Sequence, residues 1–592
     1  MPCLGRHLIF SRGASKSLWG NDHRDDEAIM ALAKLSHAAL ICPKSDLEEL
    51  LASLFEFGEF HPMDRSDLVQ DIEVLRLTSR AQAVYADAAH LLPTDFSPSS
   101  VPSKEPVLAF RAKNPVSLVD QLAKTLDDLR TKIALVPDKS EAKKLLVYDI
   151  DAVRETALGL FNGLCRIRFT YEDKRFCILE GYVPSEQIKL FRRDLSRFLL
   201  FDGPVDKKEA ETENVPSMFS NSRLVSLFEN VTLMRGFPKY NEIDPTPVTA
   251  LVFPLFFGIM FSDLGQGIVL FIFGYALWKL YRGNYNYWGE LLMVLGSASM
   301  VTGFIRGSFF GYEFKSPLEL IVHFPPVLTE GFSLNAVPFW LEISIILGTF
   351  HLSSSYFLYL LNRWRSKEYL EALLSGIPTI VLYGSAVPLT LALIGAGLQI
   401  PNLFADTSPT PFFLQLLGIS VPINLVADVS LPIFLAAIVT LVVGRMVITY
   451  RSDHGRWRLE KSIGLGLLEG LVKPFEFFSN TLSYLRLGIL AILGMILTSL
   501  AVSALAFGPL GLVAAILANI GIMAIEAFMV YIQDLRLHVY EWFSNFYTGT
   551  GIPFDPLASR GLEFSVQWGV QADRSKKDLE EEERIPVQLV VH

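Results

Sequence analysis

A single arginine is the first residue of this sequence that could do chemistry. Arg486 is the only charged residue in the 49 residues from Phe477 to Ile525. An arginine at the depth of a lipid bilayer costs about 2.5–3.5 kcal/mol on insertion scales, so it persists where function or a buried partner compensates. The alternative is a side chain that snorkels to the membrane surface. We interpret Arg486 as functional, because its apolar helix continues for about five turns on one side.

The next apolar segment carries a second group of polar residues. Its members are Glu526, Gln533, Asp534, Arg536, His538 and Glu541. Helical spacing places Glu526 with Gln533 on one face, and Asp534 with His538 on another. Such a ladder suits a water-filled ion path better than a lipid-facing surface. The alternative for Asp534, His538 and Glu541 is that they form the cytoplasmic end of the helix.

Other features are more typical of structure than of chemistry. Asp263, in the segment FSDLGQG, fits a tight turn between two helices. The spacing of Gly464, Gly466 and Gly470 differs from G-x-G-x-x-G and favours helix packing. No G-x-x-x-x-G-K-[ST] motif occurs, so we expect no ATP hydrolysis by the chain itself. We also expect no cofactor and no metal, since no zinc-type or disulfide-framework spacing is found among the cysteines, which are Cys3, Cys42, Cys165 and Cys177.

Composition indicates the environment that holds these residues. The chain has 592 residues, of which 51% are hydrophobic and 19% charged, whereas soluble proteins have about 25% charged residues. The net charge of -10 disfavours a nucleic-acid partner. Charged residues are frequent up to residue 246 or so and sparse in the long apolar blocks that follow. The sequence therefore predicts a soluble domain followed by a membrane domain.

The second half predicts eight transmembrane helices. They cover roughly 245–262, 264–281, 288–305, 338–361, 376–397, 430–450, 475–506 and 510–545. Loops predicted to be inside carry eleven Lys and Arg residues against two outside, which places the N-terminal domain in the cytoplasm. A single helix over 475–506 would be about 48 Å long, so we expect it to be strongly tilted.

The soluble half predicts a long helical hairpin within an α+β domain. Its seam is an apolar series at steps of three and four, which is typical of antiparallel helix packing: Leu122, Leu126, Leu129 and Ile133, then Leu146, Ile150, Val153, Ala157 and Leu160. Another helix, beginning with Leu68, Ile72 and Leu75, is expected alongside. Strand-like runs such as AALICP (38–43) and RFCILEGYVP (175–184) flank the hairpin and predict α/β lobes at its ends.

Several segments together carry a resemblance to a known family. They are GFPKYNEIDPTP (236–247), FPLFFGIMFSDLGQG (253–267), GSFFGYEF (307–314), FFSNTLSYLRL (477–487) and LRLHVYEWFSNFYTGTGIPFDP (535–556), with LEGYVPSEQI (179–188) and PKSDLEELLASLFEFGEFHP (43–62) in the soluble half. In this order they resemble subunit a of the V-type ATPases, called subunit I in the archaeal and bacterial A/V-type ATP synthases. The resemblance covers most of the chain. It implies a static membrane subunit beside a rotating ring of proteolipid subunits, each with one ion-carrying carboxylate.

The resemblance also implies roles for the candidate residues. Arg486, in SYLRL, matches the essential arginine that faces the rotor carboxylate and separates two aqueous half-channels. Arg536 matches a second membrane arginine, and Glu526 matches an acid that lines a half-channel. Glu476 lies where relatives place an acid near the start of the arginine helix. Gly494 stands where eukaryotic relatives carry a histidine, so a path that depends on that histidine is not expected. The remaining possible half-channel residues are Gln533, Asp534, His538 and Glu541.

The implied function is that of a non-catalytic stator subunit that couples H⁺ or Na⁺ transport to ATP synthesis or hydrolysis. Its expected partners are the proteolipid rotor ring, peripheral stalk subunits, the central stalk with its V1-type ATPase, and membrane lipid. The expected location is the cell membrane, or an endomembrane such as the vacuole in a eukaryote. Two rival hypotheses are a secondary transporter, which internal repeats would indicate, and a membrane anchor in which Arg486 is structural.

Four regions are predicted. Residues 1–37 form an N-terminal extension, expected to be mobile up to about Met30 because its composition cannot offset the entropy of ordering. A start codon placed upstream of Met30 is the alternative for these residues. Residues 38–246 form the cytoplasmic stalk-binding domain, 247–545 the ion-translocating membrane domain, and 546–592 a cytoplasmic tail.

Overall fold

The structure is a computed structural model that describes most of the chain in two compact units. The first unit contains residues 32–218 together with residues from 552 onward, and the second contains 219–551. Residues 1–31 of the predicted N-terminal extension lie outside the described residues. The described ranges are 32–63, 70–92, 110–135, 146–172, 175–205, 215–280, 284–314, 337–396, 399–405, 422–452, 458–557 and 566–568.

The first unit combines a small sheet with a group of helices. Its strands are β1 (Leu35–Pro43), β2 (His61–Pro62), β3 (Phe110–Ala112), β4 (Thr170–Glu172), β5 (Phe176–Pro184), β6 (Leu199–Pro204) and β7 (Pro216–Ser217). Its helices are α1 (Leu47–Phe57), α2 (Ile72–Leu91), α3 (Pro115–Leu135), α4 (Val147–Arg166) and α5 (Ile188–Asp194). The α/β character predicted for this region is confirmed.

The main sheet forms because one face of its strands is apolar. The antiparallel strands have the order β2-β5-β1-β6, and β4 lies beside β5. In β1 the residues Ala38, Leu40 and Cys42 are fully buried and alternate with partly exposed ones, which is the period-two pattern of a strand with one buried face. Leu40 lies opposite Leu179 of β5 and Leu200 of β6, so the apolar faces coincide across three strands.

The predicted seam residues of α3 and α4 lie in the same hydrophobic core as the sheet. All four α3 seam residues and the α4 residues Ile150, Val153, Ala157 and Leu160 are buried. The helix α2 lies beside them, but its buried face is not the one that the sequence indicated. Ile72 and Leu75 are 69% and 50% exposed, because the helical period places Val74, Leu77 and Ala81 on the core side instead. Leu68 lies outside the described residues.

Residues near the C-terminus complete the first unit. The strand β10 (Ile552–Pro553) pairs with β7, and β11 (Val566–Trp568) pairs with β3, both in parallel. The Arg166 guanidinium donates to the backbone oxygens of Asp555 and Pro556, each at 2.7 Å, and forms an ion pair with the Asp555 carboxylate at 2.8 Å. The chain therefore returns to the first unit after it leaves the second.

The second unit is almost entirely helical. After two short helices, α6 (Arg223–Ser226) and α7 (Glu229–Leu233), it contains α8 (Thr246–Met260), α9 (Leu264–Leu280), α10 (Asn284–Arg306), α11 (Val337–Arg365), α12 (Tyr369–Glu371), α13 (Ile377–Gly395), α14 (Ile400–Ala405), α15 (Ile423–Ser452), α16 (Arg458–Ser483), α17 (Leu485–Ser503) and α18 (Gly508–Arg536). A short hairpin of β8 (Ser308–Phe309) and β9 (Tyr312–Glu313) follows α10, and residues 537–542 form a π-helical turn after α18.

Among the described residues, five helical stretches are long and apolar enough to cross a membrane. They are Asn286–Arg306, Ile343–Arg365, Tyr369–Leu393, Ile423–Arg451 and Leu459–Asn545. The last is 87 residues long and includes both of the final predicted spans, whereas α8 and α9 are apolar but shorter, with 15 and 17 residues. The eight predicted crossings are therefore not confirmed.

The predicted single helix over 475–506 is wrong. The helix α16 ends at Ser483 and α17 begins at Leu485. At Tyr484 two successive backbone bonds connect residues three apart: Tyr484 N–H donates to Thr481 at 3.1 Å, and Leu487 N–H donates to Tyr484 at 2.9 Å. Such tight turns interrupt an α-helix, so the length that implied a strong tilt is divided between two helices.

Two of the family-like segments meet beside the start of α8. Glu242 accepts hydrogen bonds from the N–H of Thr548, at 3.3 Å, and from its hydroxyl, at 2.6 Å. The Tyr547 hydroxyl donates to the Gly236 carbonyl at 2.6 Å. Gly236 has a φ of 117°, and a Cβ there would lie 2.1 Å from a backbone oxygen, so only glycine fits this contact. These bonds fix where the chain enters and leaves the helical unit.

The buried seam gives a prediction about the first unit. Leu126 is 2% exposed and Val153 is fully buried, so Leu126→Asp or Val153→Asp would bury an unpaired carboxylate at a cost of several kcal/mol. We expect faster backbone hydrogen exchange over α2, α3 and α4, measured by mass spectrometry on the full chain. Lys124→Asp, at an exposed position of α3, is the matched control and should leave exchange unchanged. Wild-type protection in both seam variants would contradict the buried seam.

Candidate functional site

Arg486 is held close to the interruption between α16 and α17. It is the second residue of α17, and its side chain is 27% exposed. Its Nη1 donates to Glu541 Oε1 at 3.3 Å. The backbone turn at Tyr484 therefore sets the direction from which the guanidinium approaches this carboxylate.

Glu541 is the acid between the two arginines. Its side chain is 7% exposed, and its Oε1 lies 3.9 Å from Arg536 Nε as well as 3.3 Å from Arg486. It lies in the π-helical turn that follows α18, a widened backbone that is frequent at functional sites. The carboxylate offsets the repulsion between the two guanidinium groups. Sequence spacing had left open an exposed helix end, but the structure buries Glu541.

Asp534 and His538 form a second buried pair one helical turn apart. Both side chains are fully buried. His538 Nδ1 lies 3.0 Å from the Asp534 carbonyl oxygen and 3.2 Å from Oδ1, and the hydrogen bond is the one to the carbonyl. The two Asp534 carboxylate oxygens and His538 Nε2 have no hydrogen-bond partner among the described residues, and neither do Gln533 Oε1 and Glu541 Oε2. Several buried polar atoms at and just after the end of α18 therefore have no hydrogen-bond partner among the described residues.

Glu526 belongs to a different cluster. A Cβ built on Gly494 would lie 2.0 Å from Glu526 Oε1, so the carboxylate fills the space that this glycine leaves on α17. Glu526 also interacts electrostatically with Asp263 and Arg306. The Arg306 guanidinium donates to the carbonyl and the hydroxyl of Ser262 at 3.2 and 3.1 Å.

Asp263 fits the tight turn that the sequence indicated. It lies in the three-residue connection between α8 and α9. Its carboxylate accepts hydrogen bonds from Gln266 N–H at 3.0 Å, Phe310 N–H at 2.9 Å, Gly311 N–H at 3.0 Å and the Ser308 hydroxyl at 2.7 Å. Four donors satisfy this buried acid. It fastens the β8–β9 hairpin to the start of α9, beside Glu526 and Arg306.

Glu476 lies apart from the Arg486 pair in the described contacts. Its carboxylate accepts from Lys473, one turn earlier on α16, at 3.0 Å, and it is 35% exposed. A metal site is not indicated either, because the described residues contain no group of three His, Cys, Asp or Glu side chains arranged to hold an ion.

Sequence reasoning missed two members of these clusters. His351 lies 2.8 Å from the Tyr484 hydroxyl through Nδ1, and its ring centroid is 4.8 Å from that of His538. The sequence contains a signal for it. Apart from Tyr356, His351 is the only residue between Ser344 and Phe357 with an ionisable side chain. Arg306 lies just beyond the predicted span 288–305, in the loop expected on the outer side, but it is the last residue of α10.

Part of the chain is similar to a known protein family. Residues 121–315 match the V-type ATPase 116kDa subunit family. The chain is 28% identical to the A-type ATP synthase subunit I of Pyrococcus abyssi over 457 residues, which is 74% of the chain and 61% of that protein. The protein of the same name from Saccharolobus solfataricus is 25% identical over 505 residues, 75% of the chain and 69% of that protein.

A third relative gives the same result. The A-type ATP synthase subunit I of Aeropyrum pernix is 28% identical over 376 residues, which is 60% of the chain and 53% of that protein. The aligned regions thus span 53% to 69% of these relatives. The resemblance predicted from the sequence is confirmed: the chain is related to subunit I of the A/V-type ATPases. The described part of the chain also has apolar helices that are long enough to cross a membrane.

The contact between Gly494 and Glu526 gives a prediction. Gly494→Ala would place a methyl group where the Glu526 carboxylate lies, and overpacking of this kind costs about 1–3 kcal/mol. We expect a lower thermal denaturation temperature of the purified chain in detergent. Adding Glu526→Asp, which is one methylene shorter, should restore much of the loss. Gly521→Ala on α18 meets nothing within 4 Å and is the control. Equal destabilisation with and without Glu526→Asp would contradict the contact.

Proposed function

We propose that this chain is the membrane stator subunit of an A/V-type rotary ATPase and provides the ion path beside a proteolipid rotor ring. The observation that carries the proposal is the environment of the Arg486 side chain. It lies in an apolar helix, is paired with one carboxylate at 3.3 Å, and remains 27% exposed. A guanidinium held this way can still meet a second carboxylate that arrives from a neighbouring protein. The relatives, named as ATP synthase subunits, support this assignment.

Two physical properties of arginine suit that role. Its fixed positive charge favours the ionised form of an approaching carboxylic acid, so a rotor site would release its ion before it passes. The guanidinium also stays protonated at any accessible pH. It therefore blocks a direct leak of cations between the two sides.

The two polar clusters are candidates for the two half-channels. Gln533, Asp534, His538 and Glu541 present buried oxygen and nitrogen atoms without protein partners, and such atoms are commonly satisfied by ordered water. Glu526 interacts electrostatically with Arg306, which the predicted topology places at the outer side. We assign the first cluster to the cytoplasmic path and the second to the outer path.

The first unit has a structural role in this proposal. We infer that it binds peripheral stalk subunits in the cytoplasm. The chain itself would carry no catalytic residue, and ATP would be made or hydrolysed by other subunits of the complex.

Arg486→Lys tests the proposal against the membrane-anchor hypothesis. Lysine keeps the charge but can deprotonate when desolvated and lacks the planar fork of arginine. We expect ATP-driven ion pumping by the complex reconstituted in vesicles to be lost while assembly persists. Arg445→Lys is the matched control, because Arg445 pairs with Glu469 at 3.0 Å on other helices of the same unit. Pumping at the wild-type rate by Arg486→Lys complexes would refute the proposal.

Glu526→Gln tests the outer path. Glutamine has nearly the same size and keeps the contact with Gly494, but it cannot carry a charge. We expect slower pumping rather than none, since water can hydrate around one missing acid. The initial rate of vesicle acidification or of ²²Na⁺ uptake measures this. An unchanged rate would assign Glu526 to structure alone.

A further inference from the structure

His351 contacts a residue close in sequence to each member of the Arg486–Glu541 pair. It lies on α11, is 4% exposed, and its Nδ1 is 2.8 Å from the Tyr484 hydroxyl. Its ring stacks on Trp542 with centroids 4.9 Å apart and an interplanar angle of 15°. Tyr484 lies two residues before Arg486, and Trp542 directly follows Glu541. One imidazole therefore touches both segments that carry the ion pair.

Both segments depart from regular α-helix where His351 meets them. Tyr484 forms the tight turn between α16 and α17, and Trp542 is the last residue of the π-helical turn. Regular helix geometry does not fix side-chain directions at such places. External contacts must select the conformation of each turn.

One face of α11 supplies these contacts. Gly348, one turn before His351, leaves room for the Tyr484 ring, because a Cβ at 348 would lie 2.3 Å from Tyr484 Cγ. Ser354, one turn after His351, accepts a hydrogen bond from Trp542 Nε1 at 2.9 Å. The spacing of three residues places all three positions along the same side of the helix. Tyr484 and Trp542 therefore both pack against the same side of α11.

We infer that His351 is a positioning residue that sets the separation of Arg486 and Glu541. The inference rests on the proposed function and extends it to a residue that does not touch the ion pair. The bond between Arg486 and Glu541, at 3.3 Å, is longer than the usual 2.7–2.9 Å or so of a charge-assisted hydrogen bond. It does not lock the guanidinium by itself. The Tyr484 and Trp542 contacts determine where the two groups lie.

Two variants remove the same hydrogen bond from opposite ends. His351→Phe keeps an aromatic ring against Trp542 but cannot bond Tyr484, and Tyr484→Phe removes only the hydroxyl. We expect each to lower ATP-driven pumping per assembled complex by roughly 10- to 100-fold, as displacement of a positioned group by about 1 Å does. The double variant should be no slower than the single ones, because both substitutions remove one interaction.

Matched variants separate positioning from other roles. His351→Asn, whose amide can replace Nδ1 as the partner of Tyr484, should recover part of the rate. Thr349→Val, which removes a local bond to Ile345 on the same helix, should pump normally. A positioning defect lowers the rate by the same factor at every pH. A shifted pH profile would instead assign proton transfer to His351 and overturn the inference.

The remaining outcomes are equally decisive. If His351→Phe complexes fail to assemble, Tyr484→Phe still tests the bond, because it deletes a single oxygen atom. Normal pumping by Tyr484→Phe would overturn the inference. If Arg486→Lys abolishes pumping while both phenylalanine variants pump normally, the proposed function stands and the role of His351 falls. If Arg486→Lys pumps normally, the proposed function itself fails.

Discussion

The arrangement of the second unit around its candidate site depends on one constraint: the guanidinium of Arg486 must be accommodated among apolar helices. Removing a charged group from water costs several kcal/mol, and a partner charge repays this only when the geometry is good. Glu541 supplies that charge to Arg486 at 3.3 Å and stands 3.9 Å from Arg536. One carboxylate shared between two guanidinium groups leaves each of them incompletely paired. This pairing stabilises Arg486 in an apolar region but does not use all the hydrogen-bond donors of its guanidinium.

Two backbone irregularities make this pairing possible. The helices α16 and α17 are separated by the tight turn at Tyr484, and α18 continues into a π-helical turn. A continuous α-helix would repeat its side-chain directions every 3.6 residues and could not adjust Arg486 independently of its neighbours. The interruptions lose some regular hydrogen bonds. In return, the side chains of Arg486 and Glu541 are directed by contacts with α11 and not by helical phase alone.

Part of this site can be predicted from sequence, because the cost of a buried charge is visible in composition. The isolation of Arg486 marks it as a candidate functional residue, and the polar residues of α18 stand out in the same way. The turn at Tyr484 is not predictable from hydropathy, since SNTLSYLRL contains neither glycine nor proline. The partnership of Arg486 with Glu541 joins residues 55 positions apart, and that of His351 with Tyr484 joins residues 133 apart. Periodicity is a local signal and carries no information about such contacts.

The same limit explains the error about the buried face of α2 and why the contact of Gly494 with Glu526 was not predicted. For α2, Ile72 and Leu75 are as apolar as the residues of the buried face, so composition could not choose between two faces of one helix. The departure at Gly494 is visible in the sequence, but its consequence is steric. The space that glycine leaves at position 494 of α17 is filled by the Glu526 side chain of α18.

The spacing along α18 constrains any mechanism that uses both polar clusters. Glu526 precedes Asp534 by eight residues, which is about 12 Å along a helix axis. A single hydrogen bond does not span that distance, so under the proposed function the two clusters are separate parts of the ion path. Arg486 lies on α17, and its contact with Glu541 at 3.3 Å places it beside the cluster that contains Asp534 and His538. Under the proposed function, a mobile carboxylate on a separate subunit must therefore carry the ion, and this separation is what couples ion flow to rotation.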